Sequence, residues 1–321
     1  MYNPQACCRV SPRGLFESRG AGRVPQPERR QPRRDKTRIL NVYLNIMEER
    51  DVQKLKQIAR DIRKETLRMI ADAKSCHVGS CFSCIDILAA LYFHSLRINP
   101  QNPHWPARDR FIMSKGHGVA ALYVTLAKRG FCSPDVLQHY IKDGSMLAGH
   151  VTCTAMPGIE ASTGSLGHGL SIGVGMALAL QKDQPQSKVY VLLSDGECDE
   201  GSTWEAALSA GHFGLDNLVA IVDYNKIQSY GAVAEVMSLE PLADKWRAFR
   251  FEVKELDGHD IPALVATFDR LPLRQGKPTL ILAHTIKGKG VSFMENQMEW
   301  HYHTPNEQQL TAAVDELDAG E

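Results

Sequence analysis

With 321 residues, 43% hydrophobic content and 37 basic against 37 acidic residues, the chain has the makeup of a globular protein of one large or two small domains. A formal net charge of +0 leaves no electrostatic footprint for nucleic acid or an anionic membrane, and no apolar run reaches the length of a membrane span. Eight cysteines without framework spacing point to reduced thiols in a cytoplasmic setting.

Residues 1–46 differ from the rest. They hold nine Arg, one Lys and five Pro against three acids, and show no apolar periodicity. Such a segment cannot bury enough surface to offset chain entropy, so it reads as a disordered tail. Met47 is a natural initiator, in which case the tail is an over-extended start. Residues 47–321 then form one α/β domain.

From Glu49 to about Lys74, Leu55, Ile58, Ala59, Ile62, Met69 and Ile70 recur at helical spacing. A loop, Ser75 to Ser80, carries His77. Ser83-x-x-Asp86 reads as a capping box opening a second helix, Ile85 to Tyr92. Cys76, Cys81 and Cys84 match the spacing of three iron–sulfur ligands, but small buried cysteines explain them more simply. Arg110 to Met113 is a short strand, followed by a turn, Ser114 to Gly118, that sets His117 at the start of a helix, Val119 to Lys128. Helix N-termini are where phosphate oxygens are received.

Ser145 to Glu160, with His150, reads as an exposed loop over the sheet edge. The run Ala161-Ser-Thr-Gly-Ser-Leu-Gly-His-Gly-Leu170 then opens an Ala-rich helix, Ser171 to Gln181, and is in principle a phosphate cradle. Two apolar runs follow, Val189 to Leu193 and Leu218 to Val222, separated by one helix beginning near Gly201. They predict a βαβ unit with neighbouring parallel strands. The strand ends then bring Asp195 and Asn225 together at the sheet rim, where open α/β sheets bind ligands. An acidic and an amide oxygen there suit magnesium, with the Ile227 carbonyl as a third ligand. On spacing alone, a helix N-cap at Asp195 and a turn residue at Asn225 explain the pattern equally well. Further on, helices near Leu242 to Arg250 and Ile261 to Leu271 alternate with strands Glu252 to Leu256 and Thr279 to Ala283, and an acidic helix closes the chain. Alternation throughout predicts one doubly wound, mostly parallel sheet with helices on both faces.

The text Asp195-Gly-Glu, Glu200-Gly, Trp204-Glu-Ala and Asp223-x-Asn-x-x-Gln228 resembles the thiamine diphosphate motif of the transketolase family, in the form that is split into two chains. Lys287-Gly-Lys-Gly-Val-Ser-Phe-Met-Glu-Asn296 with Trp300-His301 resembles the same group. Ser194, His168 and Tyr302 depart from the usual Gly, Gln and Gly. The resemblance implies a thiamine diphosphate-binding fold, with Asp195, Asn225 and Ile227 on Mg²⁺. It implies that His77, His117, Gly164, Ser165, Leu166, Asp195, Gly196, Glu197 and Asn225 hold the cofactor. His77, His117, His150 and His301 are then the catalytic histidines, the latter two binding donor oxygens, and imidazole suits proton exchange near neutral pH. Glu200 is expected at an interface.

The implied reaction carries a two-carbon ketol unit from a ketose, or ketose phosphate, to an aldose, with the ordinary pentose phosphate exchange as the default. The family's activating glutamate lies in a second domain. The expectation is therefore one half of a split enzyme that works only with a C-terminal partner chain, paired with its own copy in an α2β2 assembly. The alternatives are the alpha subunit of a 2-oxo acid dehydrogenase, a deoxyxylulose-phosphate synthase-like enzyme, or a cofactor-binding scaffold without catalysis. A nicotinamide-binding domain is disfavoured, because no strand leads into Gly-x-Gly-x-x-Gly.

Overall fold

The computed structural model describes residues 33–320, with side chains from residue 49 onward. Five strands of the described chain form one sheet: β1 (Arg110–Met113), β2 (Val189–Ser194), β3 (Leu218–Tyr224), β4 (Glu252–Asp257) and β5 (Thr279–His284). Their order is β1-β2-β3-β5-β4, and every pairing is parallel. Parallel strands are covered on both faces, and β2 and β3 are accordingly buried at every position. β4 lies at an edge and is half exposed, with Lys254 and Glu255 in solvent, the charge pattern that blocks further strand pairing.

The helices are α1 (Arg33–Asp72), α2 (Val78–Ser83), α3 (Ile85–Ala90), α4 (Val119–Arg129), α5 (Gly169–Asp183), α6 (Gly201–Phe213), α7 (Val233–Val236), α8 (Leu242–Ala248), α9 (Ile261–Phe268) and α10 (Glu307–Ala319). Alternate strand residues feed two cores. Val189, Val191 and Leu193 pack with Leu170 and Ala177 of α5, Ala206 and Ala210 of α6, and Trp246 of α8. Tyr190 and Leu192 face the other way, with Ile62 of α1, Leu88 of α3, Leu126 of α4 and Phe268 of α9. Side chains alternating across a strand make the sheet doubly wound, as its apolar runs imply.

The backbone is helical from Arg33, within α1, and the part of the expected tail over 1–32 lies outside the described residues. No Pro or Gly occurs between Arg33 and Ile46, and an established helix adds one hydrogen bond for each residue that joins it. The capping box at Ser83 and Asp86 does not form. Ser83 ends α2 and donates to Asp223 Oδ2 at 2.6 Å, while Asp86 accepts from Arg63 at 2.5 and 3.0 Å. The loop from Ser145 to Glu160 has no regular structure, but Leu147, Val151 and Met156 anchor it in the core. Cys81 and Cys84 are fully buried free thiols, as the simpler reading of the cysteine run holds.

Candidate functional site

Parallel strands end on one rim, and the loops leaving β1, β2, β3 and β5 meet there. They surround a cavity of about 440 Å³ lined by, among others, His77, His117, His150, Asp195, Asn225 and His301. The four histidines converge from four separate loops. Ring centroids lie 5.6 Å apart for His77–His117, 5.8 Å for His77–His150, 4.9 Å for His77–His301 and 5.7 Å for His117–His301. Backbone bonds lock these loops together. The His77 amide donates to the His301 carbonyl at 3.0 Å, and Gly288 donates to the Gly79 carbonyl at 3.0 Å. His77 itself sits at φ 73°, in the left-handed region that few non-glycine residues occupy.

Two glycines permit close approach. A Cβ on Gly116 would fall 2.6 Å from the Thr163 carbonyl oxygen, so the turn before His117 can lie on the glycine-rich run only without a side chain. Gly164 has φ +145°, and a Cβ there would meet the His150 ring at 2.9 Å. Thr163 fixes this run to the sheet, its hydroxyl donating to the Met113 carbonyl at 2.6 Å.

Asp195 and Asn225 line the same cavity. Asp195 Oδ1 accepts from the Gly196 amide at 2.7 Å, and Oδ2 accepts from the Lys226 amide, one residue past Asn225, at 2.6 Å. Asn225 Oδ1 accepts from the Ile227 amide at 3.1 Å. These are the cap and turn bonds of the alternative reading, and they leave further lone pairs on each oxygen. Burial, then the neighbouring Asp223, raise the Asp195 carboxyl to about 6 despite the two amide donors. The Ile227 carbonyl faces the same space and accepts from Lys287 Nζ at 2.9 Å.

Burial depresses the basic groups of the rim. Burial lowers His77 to about 4, helped by the His150 ring and the Lys287 and Lys115 ammoniums. His301 falls to about 3 by burial, then by Lys287 and His77. His117 is depressed well below the ordinary imidazole range, again chiefly by burial. Burial brings Lys287 down to about 8, against the pull of Asp195 and Asp223. Beneath the rim, Lys115 is fully buried. Burial favours its neutral form, but the Asp223 carboxylate pairs with it and keeps it charged, and its ammonium also donates to the Ser80 carbonyl at 2.8 Å.

The expected residues divide as follows. His77, His117, His150, Gly164, Leu166, Asp195, Gly196, Asn225, Ile227 and His301 all line the cavity. Ser165 and Glu197 do not. Ser165 is exposed between its two lining neighbours. Glu197 is completely buried, and its carboxylate accepts from the Ser114 hydroxyl, from the Gly167 amide at 2.9 Å and from the Ser194 amide at 3.3 Å. It ties the glycine-rich run to the ends of β1 and β2. Ser80, Gln228 and Lys287 line the cavity without having been assigned to it, as do Asp199 and Glu200 at its exposed margin. For Lys287 a signal existed: it stands three residues past the end of β5, as Asp195 stands one past the end of β2. Among the described residues, no group of three or more His, Cys, Asp and Glu is arranged to hold a metal ion.

A family model described as "Transketolase, thiamine diphosphate binding domain" matches residues 54–317. An apulose-4-phosphate transketolase subunit of Phocaeicola vulgatus is 47% identical over 255 residues, covering 79% of this chain and 90% of that protein. The 6-deoxy-6-sulfo-D-fructose transketolase subunit SqwG of a Clostridium species is 46% identical over 264 residues, 82% of this chain and 96% of that one. The solved transketolase of Campylobacter jejuni superposes with a TM-score of 0.78 at 33% identity, over 83% of this chain and 43% of that chain. The chain thus spans about two-fifths of the length of the transketolases of known structure that it matches.

Proposed function

The chain belongs to the transketolase family, as the part that carries its thiamine diphosphate-binding domain, and on that footing we propose that it is one subunit of a two-chain transketolase. The reaction we assign is transfer of a two-carbon ketol unit from a ketose to an aldose. One observation carries this reading: a single cavity is lined together by Asp195, Asn225, Ile227 and four histidines from four loops.

The lining suits the cofactor and its metal. A carboxylate, an amide oxygen and a backbone carbonyl make a hard oxygen set of the kind magnesium takes, with water and phosphate completing its octahedron. Lys287 Nζ on the Ile227 carbonyl supports the same assignment, since it is a cation held against one of those oxygens. Asp195, Asn225 and Ile227 would hold Mg²⁺, while His77, His117, Gly164, Gly196 and Lys287 would hold the diphosphate. Bound thiamine diphosphate supplies the nucleophilic carbon at which a carbon–carbon bond beside a ketone is broken and remade.

The protein's own part is to bind, orient and move protons. His150 and His301 take the sugar oxygens, and His301, held neutral by burial, offers them a hydrogen-bond donor and acceptor. Lys287 and Lys115 add positive potential on which developing oxyanions can lean. Residues that grip the far end of the sugar belong to the partner chain in this reading. Greater identity to the apulose-phosphate and sulfofructose subunits, 47% and 46%, than to human transketolase at 35%, supports a specialised ketose over the ordinary pentose phosphate pair. An anionic terminus, phosphate or sulfonate, is the shared chemistry.

The test mixes this chain with thiamine diphosphate, Mg²⁺, a ketose phosphate or sulfonate and an aldose, with and without the partner subunit. Ketol transfer is expected only with the partner. Turnover by the isolated chain contradicts the two-chain reading, and consumption of pyruvate in place of the ketose points to a 2-oxo acid enzyme.

A further inference from the structure

Among the described residues, a buried charged relay outside the cavity ends on the loop that delivers Lys287. Arg63 of α1 donates to both carboxylate oxygens of Asp86 in α3, at 3.0 and 2.5 Å, and only 7% of Arg63 and 6% of Asp86 is exposed. Burial pushes the Asp86 carboxyl up, but Arg63 and a hydrogen bond from His259 overcome it and hold the group down at about 2. Asp86 Oδ2 lies 2.7 Å from His259 Nδ1, and His259 Nε2 lies 2.8 Å from the Ile286 amide nitrogen. An amide can only donate, so Nε2 accepts and the ring's proton sits on Nδ1, directed at Asp86. None of Arg63, Asp86 and His259 lines the cavity.

The position of Ile286 explains the need for this partner. β5 ends at His284, and the Thr285 amide still reaches the Tyr224 carbonyl of β3 at 3.2 Å. Ile286 is the first residue past the ladder, half-buried, with an amide that requires an acceptor. His259 provides it from the turn after β4, where the Gly258 amide is itself bonded to the His284 carbonyl at 2.8 Å. Lys287 follows at once, with its amine on the Ile227 carbonyl at 2.9 Å.

We propose that His259 is a positioning residue: oriented by Asp86 and Arg63, it clamps the Ile286 amide and so sets Lys287 in the cofactor cavity. The inference rests on the cofactor reading above, and it assigns His259 no contact with substrate or cofactor. A ring that only satisfies a buried amide would change stability when altered. A ring that positions Lys287 changes cofactor affinity, and does so only while Lys287 is present.

The experiment uses the full chain with Mg²⁺ and its partner subunit, and measures thiamine diphosphate affinity by calorimetry. Its variants are His259→Asn, His259→Gln, Lys287→Met and the double His259→Asn/Lys287→Met. Asn keeps a donor for Asp86 but cannot reach Ile286, whereas Gln places an oxygen where Nε2 was. Hydrogen exchange of the segment 285–290 is followed in parallel. His259→Asn is expected to weaken binding by roughly tenfold or more, the usual cost of losing an orienting partner behind a ligand. His259→Gln is expected to restore most of that loss, and the double variant to bind no more weakly than Lys287→Met alone. Exchange at 285–290 rises in the Asn variant.

Independent, multiplying effects in the double variant overturn the proposal, as does unchanged affinity in His259→Asn. If the unsubstituted chain does not bind thiamine diphosphate, the cofactor reading fails instead. The exchange arm then decides for His259: raised exchange in Asn but not Gln supports the clamp, and no difference between them overturns it.

Discussion

Four imidazoles and a lysine share one rim, and at that spacing they cannot all carry charge. Burial first, and then the neighbouring positive charges, bring His77 down to about 4 and His301 to about 3, from near 6.5. The sign of the stability effect follows. The unfolded chain takes up these protons near pH 6.5, while the folded chain takes them up only near 4 and 3, so stability is fully present above pH 6.5 and declines as pH falls from there toward 3. Urea midpoints measured from pH 7 to pH 4 should fall, and His77→Asn should flatten part of that decline. An equally steep decline in the variant contradicts this assignment. At this scale, the sequence disclosed the residues with an external reason to be recognised, Asp195, Asn225 and the four histidines. Lys287 lay in the quoted motif but acquired a role only through a contact with Ile227, 60 positions away. Separation of that size leaves no periodic trace.

Loops are held here by side chains that never enter the cavity. Glu197 takes one donor from the end of β1, one from the end of β2 and one from the glycine-rich run. Glu197→Ala strips three buried donors of their acceptor, and each such orphan costs about 1–3 kcal/mol before relaxation or water offsets it. A loss on the order of 3 kcal/mol in urea denaturation is expected. A change below about 0.5 kcal/mol, the ordinary range of surface substitutions, contradicts the tying role. The same effect explains why the helix expected from Ile85 forms without the capping box expected before it. Ser83 and Asp86 stand at capping-box spacing, but distant partners claim both: Asp223 for one, Arg63 and His259 for the other. Local patterns of polar residues are legible only when no tertiary partner competes. By contrast β2 and β3 were readable almost to the residue, because a strand buried on both faces must be apolar until it stops.

At the scale of the whole molecule, the parallel pairing of β2 with β3 and the two cores on either face follow from alternating apolar runs, whereas the order of the remaining strands does not. What the runs do not encode is what covers the rim. Tyr230 is 82% exposed and lines the cavity mouth, with Val236 at 38% beside it and Met237 at 58% next along the chain. Tyr302 is 56% exposed, its ring 4.8 Å from that of the lining residue His301. Large apolar groups gathered at a site entrance are the pattern of a surface that a partner covers. In the two-chain reading, Tyr230→Ser should therefore weaken association with the partner subunit, measured by sedimentation, while leaving the isolated chain's thermal midpoint within about a degree or two. Unchanged association removes Tyr230 from that interface.

The cofactor reading depends on Asp195 and Asn225 gripping one divalent ion together with a diphosphate. Calorimetric titration of the chain with thiamine diphosphate addresses it directly, with Mg²⁺ present, with Mg²⁺ removed by chelation, and in Asp195→Ala. Binding is predicted with Mg²⁺, and a loss of roughly a hundredfold or more on either removal, since a metal site deprived of its one carboxylate does not hold its ion. Binding of equal strength in all three arms would contradict the account.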